Sequence, residues 1–124
     1  MKYLLDVNVL LAAIWKHHRQ HARAFAWLAG KEVTLCPLAE LGFLRISSHK
    51  KVINAPMAQV RDALEKFSAE RKVSLIPDDL RALECSPKTS NQITDSYLSA
   101  LAAKHGLKLA TFDQGIASAE VITA

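Results

Sequence analysis

Short apolar runs, each followed by a longer stretch of helical character, restrict the fold of this 124-residue chain more than any other feature. Residues 2–5, 32–35, 73–76, 107–111 and 120–122 are too short for helices and read as buried strands. The intervening segments carry helix signals. Residues 7–15 open beside Asp6 and Asn8, either of which can cap a helix. Residues 18–29 place Ala22, Phe25, Ala26 and Ala29 on one face and stop at Gly30, while residues 37–47 start on Pro37. Residues 56–71 space Val60, Ala63, Leu64 and Phe67 at helical intervals, and residues 94–105 run from Thr94 to a stop at Gly106. Residues 78–85 and 114–118 read as short helices, and residues 48–55 and 86–92 as polar loops. Strands separated by helices pair in parallel through right-handed crossovers. The expected fold is therefore α/β, a three-layer α/β/α domain around a central, mostly parallel sheet of about five strands. No linker or repeat divides residues 1–124, so one domain is expected.

Four acids interrupt this apolar plan. Asp6 ends the run Tyr3-Leu4-Leu5, and Asp113 closes Leu109-Ala110-Thr111-Phe112. Asp95 opens the helix that carries Tyr97 to Ala103, and Glu40 sits among Leu38, Ala39, Leu41, Gly42 and Phe43. In a parallel sheet all four fall near strand C-termini or helix N-termini, where functional crevices form. Each aspartate taken alone is also explained as a cap or as a first-turn acid facing the helix dipole. Glu40 has no such explanation inside its apolar helix, and its alternative is a lone exposed position. If the four converge, their oxygens suit a hard divalent cation, Mg²⁺ or Mn²⁺, because crowded carboxylates in apolar surroundings are costly without one. The chemistry then expected is metal-assisted phosphodiester hydrolysis.

Composition narrows the class further. Half of the residues are hydrophobic and 23% are charged, which excludes a disordered chain. Net charge is +4, compatible with a polyanionic partner and equally with a solvated basic surface. Cys36 and Cys85 form no metal motif, and free thiols fit a reducing compartment. No apolar stretch approaches the roughly 20 residues that span a bilayer, and Asp6 and Asn8 break the opening apolar run. A soluble, cytoplasmic protein is expected.

The segments that carry the acids, taken in order, resemble PIN-domain ribonucleases, and within them the VapC toxins of toxin–antitoxin pairs. Leu4-Leu5-Asp6-Val7-Asn8-Val9-Leu10-Leu11 is similar to that family's opening motif, and Leu38-Ala39-Glu40-Leu41-Gly42-Phe43-Leu44-Arg45 to its glutamate-bearing helix. Ile93-Thr94-Asp95-Ser96-Tyr97-Leu98 resembles its third motif and Leu109-Ala110-Thr111-Phe112-Asp113 its last. His21, Ala24 and Trp27 match a pattern of one VapC branch. Gln114 and Ile116 depart from the family, where a basic and an aromatic residue are common. Those departures bear on RNA preference and leave the acids intact.

The resemblance implies a metal-dependent endoribonuclease in which Asp6, Glu40, Asp95 and Asp113 hold one or two Mg²⁺ or Mn²⁺ ions, directly or through water. It also implies an RNA substrate, a homodimer and inhibition by a VapB-type antitoxin. Asn8 and Thr111 are candidates for hydrogen-bonding a ligand carboxylate or a metal-bound water. Locally, Asn8 is equally a helix cap and Thr111 a plain strand residue. Arg45, one turn or so beyond Glu40, is the leading candidate for a phosphate contact, with His21, Lys50 and Lys51 behind it. His17 and His21 have zinc-like i, i+4 spacing, but no third ligand is near in sequence. Two other functions fit the outline less well. A non-catalytic RNA-binding module of this fold would not need the full acidic set. A phosphoacceptor receiver domain would need an aspartate at the end of the second strand, where Leu35 and Cys36 stand.

Overall fold

The computed structural model describes residues 2–116 and 118–123. Five strands form one sheet in the order β3-β2-β1-β4-β5, where β1 is Lys2–Leu5, β2 Glu32–Leu35, β3 Ser74–Leu75, β4 Lys108–Thr111 and β5 Glu120–Val121. All four pairings are parallel, with Tyr3 opposite Val33 on one side and Lys108 on the other. The chain builds outward from β1 to β3, then crosses back to lay β4 against the other side of β1. The direction of winding therefore reverses between β1 and β4, the position at which open α/β sheets bind ligands.

Helices α1 (Val7–Ile14), α2 (His21–Leu28), α3 (Pro37–Ser48) and α4 (Met57–Glu70) lie together, and α5 (Ile93–Lys104) packs separately on β1 and β4. The pleat of β1 divides the core between these layers. Leu5 joins Val9, Leu10, Phe43 and Val60 under the first group, while Leu4 joins Leu98, Leu101 and Leu109 under α5. Phe43 is fully buried and stacks on Trp15, whose indole N–H donates to Ser47 Oγ at 2.9 Å. That bond satisfies the one polar atom of a large buried ring. Gly42 lets α3 approach α1 closely, since a Cβ there would lie 2.8 Å from Val7 Cγ2.

Several expected elements differ from those observed. The second helix begins at His21 rather than at residue 18, because His18 Nδ1 accepts the Gln20 N–H at 3.0 Å and holds a local turn. The short helix expected over 78–85 is only a 3₁₀ turn, Ala82–Glu84, tied by the Arg81 N–H donating to Glu84 Oε2 at 2.7 Å. Leu83 in that turn is 84% exposed, so the turn itself buries no apolar side chain. Residues 86–92 contain a second such turn, Ser90–Gln92. Thr94 lies inside α5 and is not its cap; Gln92 occupies that position without a side-chain bond. No helix forms over the described part of 114–118, where Gly115 takes φ 87° and turns the chain; Ala117 lies outside the described residues. No described helix is long and apolar enough to cross a membrane.

Candidate metal centre

Asp6 and Asp113 come from neighbouring strands at the reversal point, Asp6 directly after β1 and Asp113 two residues past the end of β4. Asp95 joins them from the first turn of α5, the helix that crosses over β1 and β4. One carboxylate oxygen from each lies within 4.8 Å of the other two. Among the described residues, no ion pair involves any of the three.

Asp6 is held from both sides. Its Oδ1 accepts the Val7 N–H at 2.7 Å, which caps α1, and its Oδ2 accepts the hydroxyl of Thr111 at 2.7 Å. The same Thr111 oxygen accepts the Asp113 N–H at 3.1 Å, so one fully buried hydroxyl fixes the entry of two acids. Asp6 is 4% exposed. Burial pushes its pKa up to about 6, and the negative charges of Asp95 and Asp113 push the same way. The Thr111 and Val7 hydrogen bonds oppose this without cancelling it. Asp95 is also raised, first by burial and then by Asp113. Three carboxylates facing one another, with no ion pair to any of them among the described residues, make an all-oxygen donor set of the kind that suits Mg²⁺ or Mn²⁺ and not a soft metal.

Glu40 stands outside this group. It lies half-buried in the first turn of α3 and beside a groove with Leu44 and the α4 residues Arg61 and Leu64. Burial raises its pKa, and the second cause is Asp78, not the three clustered acids. Asp78 reaches across from the segment after β3, where its Oδ2 accepts the Leu38 N–H at 3.0 Å. That bond replaces the side-chain cap that Cys36 does not provide at the start of α3. Asp78 is not among the acids expected from the sequence, although it stands just beyond a strand end as Asp113 does.

Asn8 is not the cap of α1, and its Oδ1 is buried without a hydrogen-bond partner among the described residues. A buried orphan acceptor in the same turn as Asp6 is what a residue awaiting a ligand or a water would show. The basic candidates are dispersed. His21 starts α2 and ties back to α1, its Nδ1 2.7 Å from the Ala12 carbonyl oxygen, with its ring beside Phe25. Arg45 is exposed in the last turn of α3, and Lys50 and Lys51 are exposed in the turn that follows it. His17 and His21 belong to no group of three metal-ligating side chains among the described residues.

The family model described as PIN domain matches residues 3–121. The chain belongs to the PIN-domain family. Among curated relatives, Ribonuclease VapC38 of Mycobacterium tuberculosis is 35% identical over 125 residues, covering 91% of this chain and 86% of the relative. Ribonuclease VapC44 of the same species is 36% identical over 130 residues, covering 94% and 89%. The fold is also that of solved PIN-type structures. VapBC2 from Rickettsia felis, bound to a DNA fragment from its promoter, aligns over 98% of this chain and 97% of its own at 16% identity with a TM-score of 0.64. FitAcB from Neisseria gonorrhoeae aligns over 99% and 97% at 23% identity with a TM-score of 0.60. The match thus spans β1 to β5 and includes every segment that brings an acid to the centre.

Proposed function

We propose that this PIN domain is a divalent-metal-dependent endoribonuclease, a VapC-type toxin held in check by a VapB-type antitoxin. The observation that carries the proposal is the convergence of Asp6, Asp95 and Asp113 from three parts of the sequence onto one point at the reversal of the sheet. The ribonuclease names of relatives at 35% and 36% identity support the same activity. A bound Mg²⁺ or Mn²⁺ would lower the pKa of a water and offset negative charge on the scissile phosphate.

The chain's own contribution is placement. Thr111 and the Val7 N–H hold both oxygens of Asp6, so its carboxylate meets a cation without reorganising. Asp95 is half-buried and Asp113 is exposed, which leaves one side of the cluster open to a polyanion. Glu40 is assigned the outermost acidic role, since it stands apart from the other three, and Asn8 supplies an acceptor for a water. Arg45, His21, Lys50 and Lys51 are assigned to the RNA backbone, where charge gives affinity without sequence information. The likeness to the solved VapBC2 and FitAcB structures supports an antitoxin partner, and a homodimer working in the cytoplasm completes the toxin reading.

The test is incubation of single-stranded RNA with purified protein and Mn²⁺, beside an EDTA control and an Asp95→Asn variant. Internal cleavage is expected only with wild-type protein and metal. Equal degradation by Asp95→Asn, or intact RNA at every metal concentration, would overturn the assignment.

A further inference from the structure

A cavity of about 380 Å³ opens along α5, the helix that carries Asp95. Its floor is the stripe Ser96, Ala100 and Ala103, one helical face formed at i, i+4 and i+7. Gln92 rises on one side, and Gly115 and Ile116 close the other. Two of its lining residues follow the metal centre closely along the chain: Ser96 comes directly after Asp95 in α5, and Gly115 lies two residues beyond Asp113.

The lining is neutral. None of the described residues around the cavity is Asp, Glu, Lys, Arg or His. A phosphate would find no countercharge there, whereas the three clustered acids gather charge. Hydroxyl and amide groups over an apolar floor instead match an uncharged, flat, hydrogen-bonding group. Serine hydroxyls both donate and accept, and Gln92, whose Oε1 accepts the Lys88 N–H at 3.0 Å, keeps its amide N–H₂ to donate, so together they can address the edge of a base. The volume falls within the roughly 300–1,000 Å³ of ordinary small-ligand sites. Sequence-specific proteins read single-stranded RNA by taking unstacked bases out of the chain in this manner.

We infer that this cavity is a nucleoside subsite: it takes the base and ribose of a nucleotide next to the scissile phosphate of single-stranded RNA, and so sets where the chain is cut. The inference rests on the ribonuclease proposal for its substrate class, and on the cavity's position and neutral lining for its own content. Gly115 opens the wall through its backbone, since a Cβ there would meet nothing within 4 Å while its φ of 87° turns the chain aside. Ala100 sits half-buried on the floor, and a larger side chain there fills the space without touching the acids.

The experiment has two readouts. In the first, ¹⁵N-labelled protein is titrated with the four ribonucleoside 5′-monophosphates, and backbone amide shifts are followed. Ser96, Ala100 and Gly115 should move and saturate, more tightly for one or two bases than for the others. Ala100→Leu, checked as folded by its amide spectrum, should weaken that binding about tenfold or more, a change of about 1.4 kcal/mol or above. In the second, a random single-stranded RNA pool is cut by wild type, Ala100→Leu and Ser96→Ala, and the ends are sequenced. The variants should lose or change the preferred base while the Mn²⁺ concentration for half-maximal cleavage stays the same. RNA cut as proposed, with no nucleotide moving these amides, would overturn the subsite and leave the nuclease standing. Nucleotides filling the cavity of a protein that leaves RNA intact would do the reverse. Equal binding by wild type and Ala100→Leu would also overturn the subsite.

Discussion

The two flanks of β1 carry acids in opposite conditions. On the β4 side, Asp6 is buried, bonded at both oxygens and pressed against two further carboxylates. On the β2 side, Glu40 is half-buried, stands outside that group and shares its corner with Asp78. The first arrangement accumulates unfavourable charge in a fixed geometry. The second carries a milder form of the same strain, since burial and Asp78 both raise the Glu40 pKa while Asp78 is itself anchored by the Leu38 N–H at the start of α3. The difference separates three carboxylates gathered at one point from a fourth acid that stands apart from them.

The sharpest way to break this contrast is to remove one acid from each flank. Asp95→Asn should lower RNA cleavage at least about 100-fold, near 3 kcal/mol of barrier, and leave the metal-free protein no less stable, since it relieves repulsion. Cleavage rates and thermal unfolding without metal read both effects. Asp78→Asn should stay within a few-fold of wild type in the same assay. A comparable loss at Asp78 would erase the distinction.

A pH series sharpens the comparison next. The Asp6 pKa is raised from 3.8 to about 6, so the folded state keeps a proton that the unfolded chain releases earlier. The stability this confers is fully present below pH 3.8 and is lost as pH rises through about 6, on the order of 3 kcal/mol without metal. Mn²⁺ should therefore raise the melting temperature strongly at pH 7.5 and weakly at pH 4.5. A metal effect of equal size at both values would show that the clustered acids are not the binding groups.

Thr111→Val keeps the shape and removes the donor to Asp6 Oδ2. It should cost about 1–3 kcal/mol and weaken Mn²⁺ affinity about 10- to 100-fold, measured by denaturant unfolding and metal titration. Gly42→Ala drives a methyl into Val7 and should cost about 1–3 kcal/mol, with Val7→Ala restoring much of it. Last and smallest, Asp78→Ala removes the cap on Leu38 and should cost about 1 kcal/mol in unfolding experiments.

The β4 flank was legible in the sequence because its signals are local. Asp6 and Asp113 each end an apolar run, and parallel pairing of such runs brings their ends together. Thr111 stands two residues from Asp113, within reach of the same strand end, and its hydroxyl makes it a candidate partner for a carboxylate there. On the β2 flank Glu40 was legible from its apolar helix, whereas the capping role of Asp78 was not, because it acts on a residue 40 positions away. The segment 78–85 misled for a related reason. Its polar residues are compatible with a helix, but Leu83 finds no partner to bury against, and helix propensity without packing gives only single turns. Residues 18–20 show the opposite competition, in which the His18 ring captures a nearby N–H and delays the helix to His21.

Both outermost strands of the sheet, Ser74–Leu75 and Glu120–Val121, are two residues long. A rim that short offers almost no ladder on which another chain could add itself, so the sheet resists edge-on aggregation at the concentrations reached in overexpression. The longer inner strands, which would template such growth, are already flanked on both sides.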